Sequence, residues 1–355
     1  MQEGFTIAIL GATGAVGTRM LAQLAQSTIP IKAVKLLASP RSAGKQVTFR
    51  GHVLTVAATT ADAFTDVDLV LASAGSAVSK QFLPLAVARG AVCVDNTSAF
   101  RMVPTVPLVV PEVNEEALRQ HHGLIANPNC STIQMMVALN PIRQAVGLKQ
   151  IIVSTYQAAS GAGQSGLNEF YQEAKDYLAE QPMTATIFPT KGAQQHYPLA
   201  FNLLPQIDVL EDDLYSHEEW KMIHETKKIM LGAMNASEIK VTATCVRVPV
   251  PFSHGESIWI DTGDPNATVS QLRQALAAAP GVVLQDEPQQ QLYPQPLNAT
   301  GTRATYVGRI RPDLENPGAF NLWVVADNLL KGAAWNTVQI AECLVADGLV
   351  HALAE

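Results

Sequence analysis

With 355 residues, 48% of them hydrophobic and only 15% charged, the chain leaves little room for disorder and is long enough for two cores. Its 31 acidic side chains outnumber 24 basic ones, a net charge of −7 that argues against nucleic acid as the main partner. Four cysteines without metal-ligand spacing argue against a metal centre, and no apolar run reaches the roughly 18 residues that cross a bilayer. With neither the basic nor the long apolar region of a signal peptide at the N-terminus, the expectation is a cytoplasmic protein with no membrane partner.

Phe5 to Leu10 reads as a buried strand that runs into Gly11-Ala12-Thr13-Gly14-Ala15-Val16-Gly17, and a helical pattern follows to about Gln26. Strand, glycine turn and helix in that order open a dinucleotide-binding unit. The glycines permit a tight turn and let backbone N–H groups approach a pyrophosphate at the helix N-terminus. The spacing is GxxGxxG and not GxGxxG, so placement directly after a strand carries the reading; a turn used only for packing is the alternative. An NAD site usually has Asp or Glu about 20 residues onward for the ribose 2′-hydroxyl, yet no acidic residue lies between Glu3 and Asp62. The second strand, Ile31 to Leu37, ends instead in Ala38-Ser39-Pro40-Arg41-Ser42. A guanidinium and hydroxyls there suit a 2′-phosphate, so NADP is the expected cofactor, with a solvated loop arginine as the alternative.

Asp68 to Ala72 and Ala91 to Asp95 read as further strands, separated by a helix from about Ser79 to Arg89. This alternation implies a Rossmann-type doubly wound parallel sheet. The strands end in Ser73-Ala74-Gly75 and Asn96-Thr97-Ser98, at the carboxyl ends where such sheets bind ligands. Arg101 follows the second of these and is close enough in sequence to serve an anionic substrate, although a lone loop arginine is more often structural.

Asn127-Pro128-Asn129-Cys130-Ser131-Thr132 lies between the apolar strand end Leu124 to Ala126 and an apolar helix, Ile133 to Leu139. Cys130 therefore sits in a first helical turn, where unpaired N–H groups and the helix dipole favour a thiolate. Cys93, Cys245 and Cys343 have the apolar or helical surroundings of structural cysteines. Only Cys130 has the context of a nucleophile.

Gln150 to Gln157 begins a strand-rich α+β region, and Ser160-Gly161-Ala162-Gly163-Gln164-Ser165-Gly166 reads as a second glycine loop before a helix, suited to pressing backbone against a flat cofactor ring. Tyr197 to Pro205 reads as an irregular linker. Glu218 and Lys221 share one face of a helix at His217 to Met222, and in isolation they read as a solvated ion pair. In Arg247-Val248-Pro249-Val250-Pro251-Phe252-Ser253-His254-Gly255, two prolines stiffen the chain before His254, which fits an acid/base partner for Cys130 and equally a structural histidine. Residues 262 to 302 contain a helix near Ser270 to Ala278 and a Pro/Gln-rich stretch with no assignable chemistry. Strands at Ala304 to Ile310 and Phe320 to Ala326 and a closing helix from Asn328 to about Leu349 complete the chain.

Gly11 to Gly17, Asn127 to Thr132, Gln157 with Ser160 to Gly163, Glu218 to Lys221 and Arg247 to His254, in this order, resemble the aspartate-semialdehyde dehydrogenases. The resemblance runs from about Phe5 to Gly348. It implies an NADP-binding domain at 1–129, completed by a C-terminal helix at 328–355, and a catalytic and dimerisation domain at 130–327. It implies Cys130 as acyl-thioester nucleophile, Gln157 as the group orienting the substrate carbonyl and His254 as acid/base. Arg247 would bind the substrate α-carboxylate, Glu218 the α-ammonium, and Arg101 with Lys221 the phosphate. Nucleotide contacts would fall on Gly11, Thr13, Gly14, Ala15, Val16, Gly17, Ser39, Arg41, Ser42, Ser73, Gly75, Ser160, Gly161 and Asn328. The implied partners are aspartate semialdehyde or aspartyl phosphate, inorganic phosphate and a second copy of the chain, and the implied route is lysine/diaminopimelate, methionine, threonine and isoleucine biosynthesis. Two alternatives stay open. N-acetyl-γ-glutamyl-phosphate reductase performs the same chemistry, but its neutral acetylated nitrogen has no use for Glu218. A non-catalytic paralogue would have no reason to keep Cys130, Gln157, Arg247 and His254 together.

Overall fold

Strand β1 (Phe5–Leu10) is buried from Thr6 onward, as a central parallel strand covered on both faces must be. The computed structural model describes residues 4–350; the last five residues of the expected C-terminal segment lie outside the described residues. The chain divides into two compact units, residues 4–129 with 333–350, and 130–332.

In the first unit β1 is followed by α1 (Ala15–Ala25), β2 (Ile31–Ala38), a small antiparallel hairpin of β3 (Gln46–Phe49) and β4 (His52–Thr55), and β5 (Ala57–Ala58). Then come β6 (Leu69–Ala72), α2 (Ser76–Val87), β7 (Val92–Asp95), α3 (Pro111–Asn114) and β8 (Leu124–Ala126). The sheet order is β5-β2-β1-β6-β7-β8 and every pairing is parallel. Counted among themselves these six strands run 3-2-1-4-5-6, the doubly wound order, and the winding reverses between β1 and β6. One face is covered by Met20 and Leu24 of α1 and by Val338 and Leu344 of the C-terminal helix (Trp335–Ala346). Leu83 and Ala86 of α2 cover the other. The reversal opens a crevice at the carboxyl ends of β1 and β6, where Gly11 and Ser73 lie.

The second unit contains α4 (Cys130–Val146), β9 (Gln150–Gln157), α5 (Gly163–Leu178), α6 (His217–Leu231), β10 (Lys240–Arg247) and β11 (His254–Asp261). After these come α7 (Val269–Ala278), β12 (Val282–Leu284), α8 (Pro296–Ala299), β13 (Thr305–Pro312) and β14 (Ala319–Ala326). Its mixed sheet has the order β10-β9-β11-β14-β13-β12. Parallel pairing sets Gln157 opposite Arg247 at the ends of β9 and β10, and β11 enters antiparallel beside β9. Helix α4 is buried continuously from Ser131 to Asn140, which explains an apolar sequence with no polar face.

Three elements differ from expectation. Helix α2 starts at Ser76, three residues early, because Gly75 takes φ +96° and turns the chain there. The second glycine loop is a single 3-10 turn (Ala159–Ala162) followed at once by α5; Gly166 lies inside that helix, where a Cβ would meet the Ala162 Cβ at 2.6 Å. The closing helix does not begin at Asn328. The Asp327 carboxylate accepts the N–H groups of Leu329 and Leu330 at 2.8 and 3.1 Å, and a π-helical turn (Leu330–Ala334) precedes the regular α-helix. Among the described residues no helix is long and apolar enough to cross a membrane.

Candidate active site

Helix α4 begins at Cys130, as its strand-to-helix position required. Cys130 Sγ lies 3.3 Å from His254 Nε2. The other ring nitrogen, Nδ1, accepts the Ala158 backbone N–H at 3.0 Å, so the proton of the neutral ring sits on Nε2, facing the sulfur. His254 is fully buried, and burial together with the Arg247 guanidinium pushes its pKa down to about 3. The imidazole is therefore neutral at physiological pH. Its main chain is also held, because the Gln134 amide donates to its carbonyl at 3.3 Å.

The segments after β9 and β10 are joined backbone to backbone. Val248 N–H donates to Gln157 O at 3.0 Å, Ala159 N–H to Val250 O at 2.8 Å and Ser160 N–H to Pro251 O at 3.1 Å. Arg247 Nη1 donates to Ala158 O at 2.8 Å, while its buried Nε has no hydrogen-bond partner among the described residues. A buried guanidinium donor left open fits an anionic ligand. Gly161 allows this approach, since a Cβ there would lie 2.5 Å from Arg247 Nη1.

Glu218 and Lys221 are no solvated pair. Glu218 is buried, accepting Gln157 Nε2 on Oε1 at 3.2 Å and Lys221 Nζ on Oε2 at 3.1 Å. Lys221 Nζ also donates to Asp208 Oδ2 at 3.0 Å. The helical spacing of Glu218 and Lys221 was legible, but their burial depends on α6 packing along β10, a tertiary fact. Asp208 lay outside every motif. Its one signal was position, just before the helix that carries its partner. Arg101 belongs to the first unit and is buried there, donating from Nε to Asn127 O and from Nη2 to Asn96 O, each at 2.9 Å.

The first unit has a cleft of about 440 Å³ lined by Gly11, Thr13, Gly14, Ser39 and Ser73, with Thr59, Val78 and Phe82 beside them. Gly11 takes φ +90°, and a Cβ on Gly17 would meet Gly11 O at 2.1 Å, so the turn closes only with glycine at both positions. Ala15 and Val16 form the first turn of α1, which has no side-chain cap and no acidic residue to compete with a bound phosphate. These features fit a dinucleotide. Thr13 Oγ1 donates to Ser42 Oγ at 3.3 Å, tying the glycine turn to the loop that presents the exposed Arg41. Sequence reasoning missed Thr59, because β5 is only two residues long, and Val78 and Phe82, whose i, i+4 spacing on α2 was the available signal. In the second unit Ser160 and Asn328 bond each other, Nδ2 to Oγ at 3.1 Å, and Asn328 Oδ1 accepts the Ser253 N–H at 3.0 Å. Gly161 lies in the same turn as Ser160.

A doubly wound nucleotide-binding unit and an α+β unit with a cysteine–histidine pair beside a buried arginine define an NAD(P)-dependent oxidoreductase. The family model described as semialdehyde dehydrogenase, NAD binding domain, matches residues 6–121, and that described as semialdehyde dehydrogenase, dimerisation domain, matches residues 139–331. The chain is an enzyme of the semialdehyde dehydrogenase family. It is 52% identical to the aspartate-semialdehyde dehydrogenase of Bacillus subtilis over 97% of this chain and 98% of that one. With the Synechocystis aspartate-semialdehyde dehydrogenase it is 48% identical over 98% and 99% of the two chains. The crystal structure of aspartate semialdehyde dehydrogenase II from Vibrio cholerae, also solved complexed with ASA, superposes with a TM-score of 0.89 at 42% identity, covering 97% of this chain and 99% of that one. The Candida albicans enzyme, solved with NADP, gives a TM-score of 0.74 at 25% identity over 98% and 100% of the two chains.

Proposed function

We propose that the protein interconverts L-aspartate 4-semialdehyde, phosphate and NADP with L-4-aspartyl phosphate and NADPH through an acyl-thioester on Cys130. The observation that carries this reading is the 3.3 Å contact of Cys130 Sγ with His254 Nε2, with Arg247 and Glu218 buried in the same unit. Cys130 thiolate attacks the aldehyde carbon, and the Nε2–H of His254 keeps its proton and donates a hydrogen bond to the alkoxide of the thiohemiacetal anion that forms. As the C=O bond re-forms from that alkoxide, the C–H bond releases hydride, leaving a thioester. NADP, when bound, accepts the hydride. Phosphate then attacks the acyl carbon, the C–S bond breaks, and Cys130 leaves as thiolate.

Binding groups follow from the charges present. Arg247, with its open Nε, takes the α-carboxylate, and Glu218 takes the α-ammonium. An ammonium on Glu218 frees the Gln157 amide to orient the substrate carbonyl. Lys221 and Arg101 hold phosphate. Gly11, Thr13 to Gly17, Ser39, Ser73 and Gly75 would hold the dinucleotide, and Ser160, Gly161 and Asn328 are further candidate nucleotide contacts. Arg41 and Ser42, at a strand end without an acidic residue, favour NADP over NAD. Domain roles follow: residues 1–129 with a C-terminal helix bind nucleotide, and 130–327 perform catalysis. Ile152 and Tyr156 on β9, each 41% exposed, give the second unit an apolar surface suited to a homodimer. We assign the enzyme to the cytoplasm and to the route toward lysine/diaminopimelate, methionine, threonine and isoleucine.

The test is phosphate-dependent reduction of NADP by aspartate semialdehyde, with Cys130→Ala alongside and N-acetylglutamate semialdehyde as control substrate. Activity on the first substrate should require phosphate and fall by at least about 10³-fold in the variant. Activity confined to the acetylated substrate would refute the role of Glu218, and full activity without Cys130 would refute the thioester.

A further inference from the structure

Lys221 stands between two carboxylates, Glu218 Oε2 at 3.1 Å and Asp208 Oδ2 at 3.0 Å, and only Glu218 has a role in the reading above. Asp208 lies in the irregular segment before α6 and takes φ +70°, a left-handed conformation unusual for a non-glycine residue. Its backbone and side chain are fixed there. Gln206 Nε2 donates to Asp208 O at 3.1 Å, and Asp208 Oδ1 accepts the Val209 N–H at 3.0 Å. The side chain is 37% exposed, against 7% for Glu218.

The charge balance gives Asp208 a purpose. Glu218 paired with Lys221 alone would be neutralised, and a neutralised carboxylate attracts a substrate ammonium poorly. With Asp208 bonded to the same ammonium, the three side chains Glu218, Lys221 and Asp208 together carry a net −1. The field at Glu218 is then more negative than it would be without Asp208, and the pull of Lys221 on a phosphate dianion is moderated. Arg247 feels both carboxylates. We infer that Asp208 is a specificity-determining residue, the second counter-ion of Lys221, which strengthens binding of the aminated substrate and weakens binding of phosphate. The inference rests on the proposed aspartate-semialdehyde reaction.

Two carboxylate neighbours of one lysine predict shifts of opposite sign. In Asp208→Asn, KM for aspartate semialdehyde should rise and KM for phosphate should fall, each by about three- to fivefold at low ionic strength, the size of a partly exposed charge contact. Both shifts should shrink in high salt. A purely structural role would weaken both ligands together, and that outcome, or no change in either, overturns the inference. A second readout needs no turnover: protection of Cys130 from iodoacetamide by inorganic phosphate. The half-protecting phosphate concentration should fall in Asp208→Asn relative to wild type. An unchanged or higher value overturns the inference, as does a wild type that phosphate does not protect. Should wild type lack activity on aspartate semialdehyde, the proposed function fails, while the protection assay still judges Asp208.

Discussion

His254 and Glu256 lie two residues apart on β11, both fully buried, and their titrations affect stability in opposite directions. The His254 pKa is pushed down to about 3 by burial and by Arg247, whereas an unfolded histidine titrates near 6.5. As pH falls through that window the unfolded chain takes up a proton that the folded chain refuses. Stability therefore drops by up to about 1.4 kcal/mol per pH unit from this group. Glu256 is the reverse case. Among the described residues neither of its carboxylate oxygens has a partner at normal hydrogen-bond geometry, and burial holds its pKa well above the carboxylate range, with the Gln134 amide opposing the shift. Its contribution is fully present below about 4.5, the unfolded value, and is lost as pH rises toward the folded one. Urea denaturation from pH 3.5 to 8.5 should accordingly separate two variants. His254→Gln should flatten the acid limb between 6.5 and 3, and Glu256→Gln should gain stability over wild type as pH rises. Parallel curves for either variant and wild type would refute the corresponding assignment.

At the scale of elements, the sequence read best where one physical cause dominates. Strand β9 ran from Gln150 to Gln157 in the sequence and does so in the fold, because alternation on a sheet with one covered face leaves no other register. The π-helical turn Leu330–Ala334 was not legible, since it depends on Asp327 accepting two successive N–H groups and on what the turn packs against. That neighbour is Cys130, the nucleophile proposed above. A Cβ added at Gly332 would lie 2.7 Å from Cys130 Cβ and 3.2 Å from its Cα, both carried by a helix that is buried and cannot retreat. Gly332→Ala should displace Cys130 from His254, slowing iodoacetamide alkylation and kcat by tenfold or more. The overpacking should also cost about 1–3 kcal/mol in urea denaturation. Wild-type alkylation in a folded Gly332→Ala would show that the wide turn is not needed to seat the thiol.

At the scale of the whole molecule, the division of labour was readable because each unit carries its own chemical signature: a glycine turn after a first strand, and a cysteine at a helix start. Contacts that join distant segments were not readable. The Ala158 N–H that sets the His254 tautomer comes from 96 residues away, and the Asp208 counter-ion belongs to no pattern. Cofactor choice lies between these extremes, because the signal in the sequence was an absence of acid followed by Arg41. The structure leaves Arg41 exposed beside the cleft residues Ser39 and Pro40, with Ser42 tied to Thr13. An exposed guanidinium bonded to a 2′-phosphate contributes about 1 kcal/mol, roughly fivefold in affinity, and contributes nothing toward a 2′-hydroxyl. Since a ligand at about 100 times its Kd stabilises the fold by about 2.7 kcal/mol, the preference is visible in thermal unfolding without any turnover. At equal concentrations NADP should raise Tm more than NAD. Arg41→Ala should remove most of that difference by lowering the NADP effect while leaving the NAD effect in place. Equal shifts by the two dinucleotides in wild type would mean that the missing acid at the second strand does not select NADP. A loss of both shifts in Arg41→Ala would mean that Arg41 supports the cleft itself and does not recognise the phosphate.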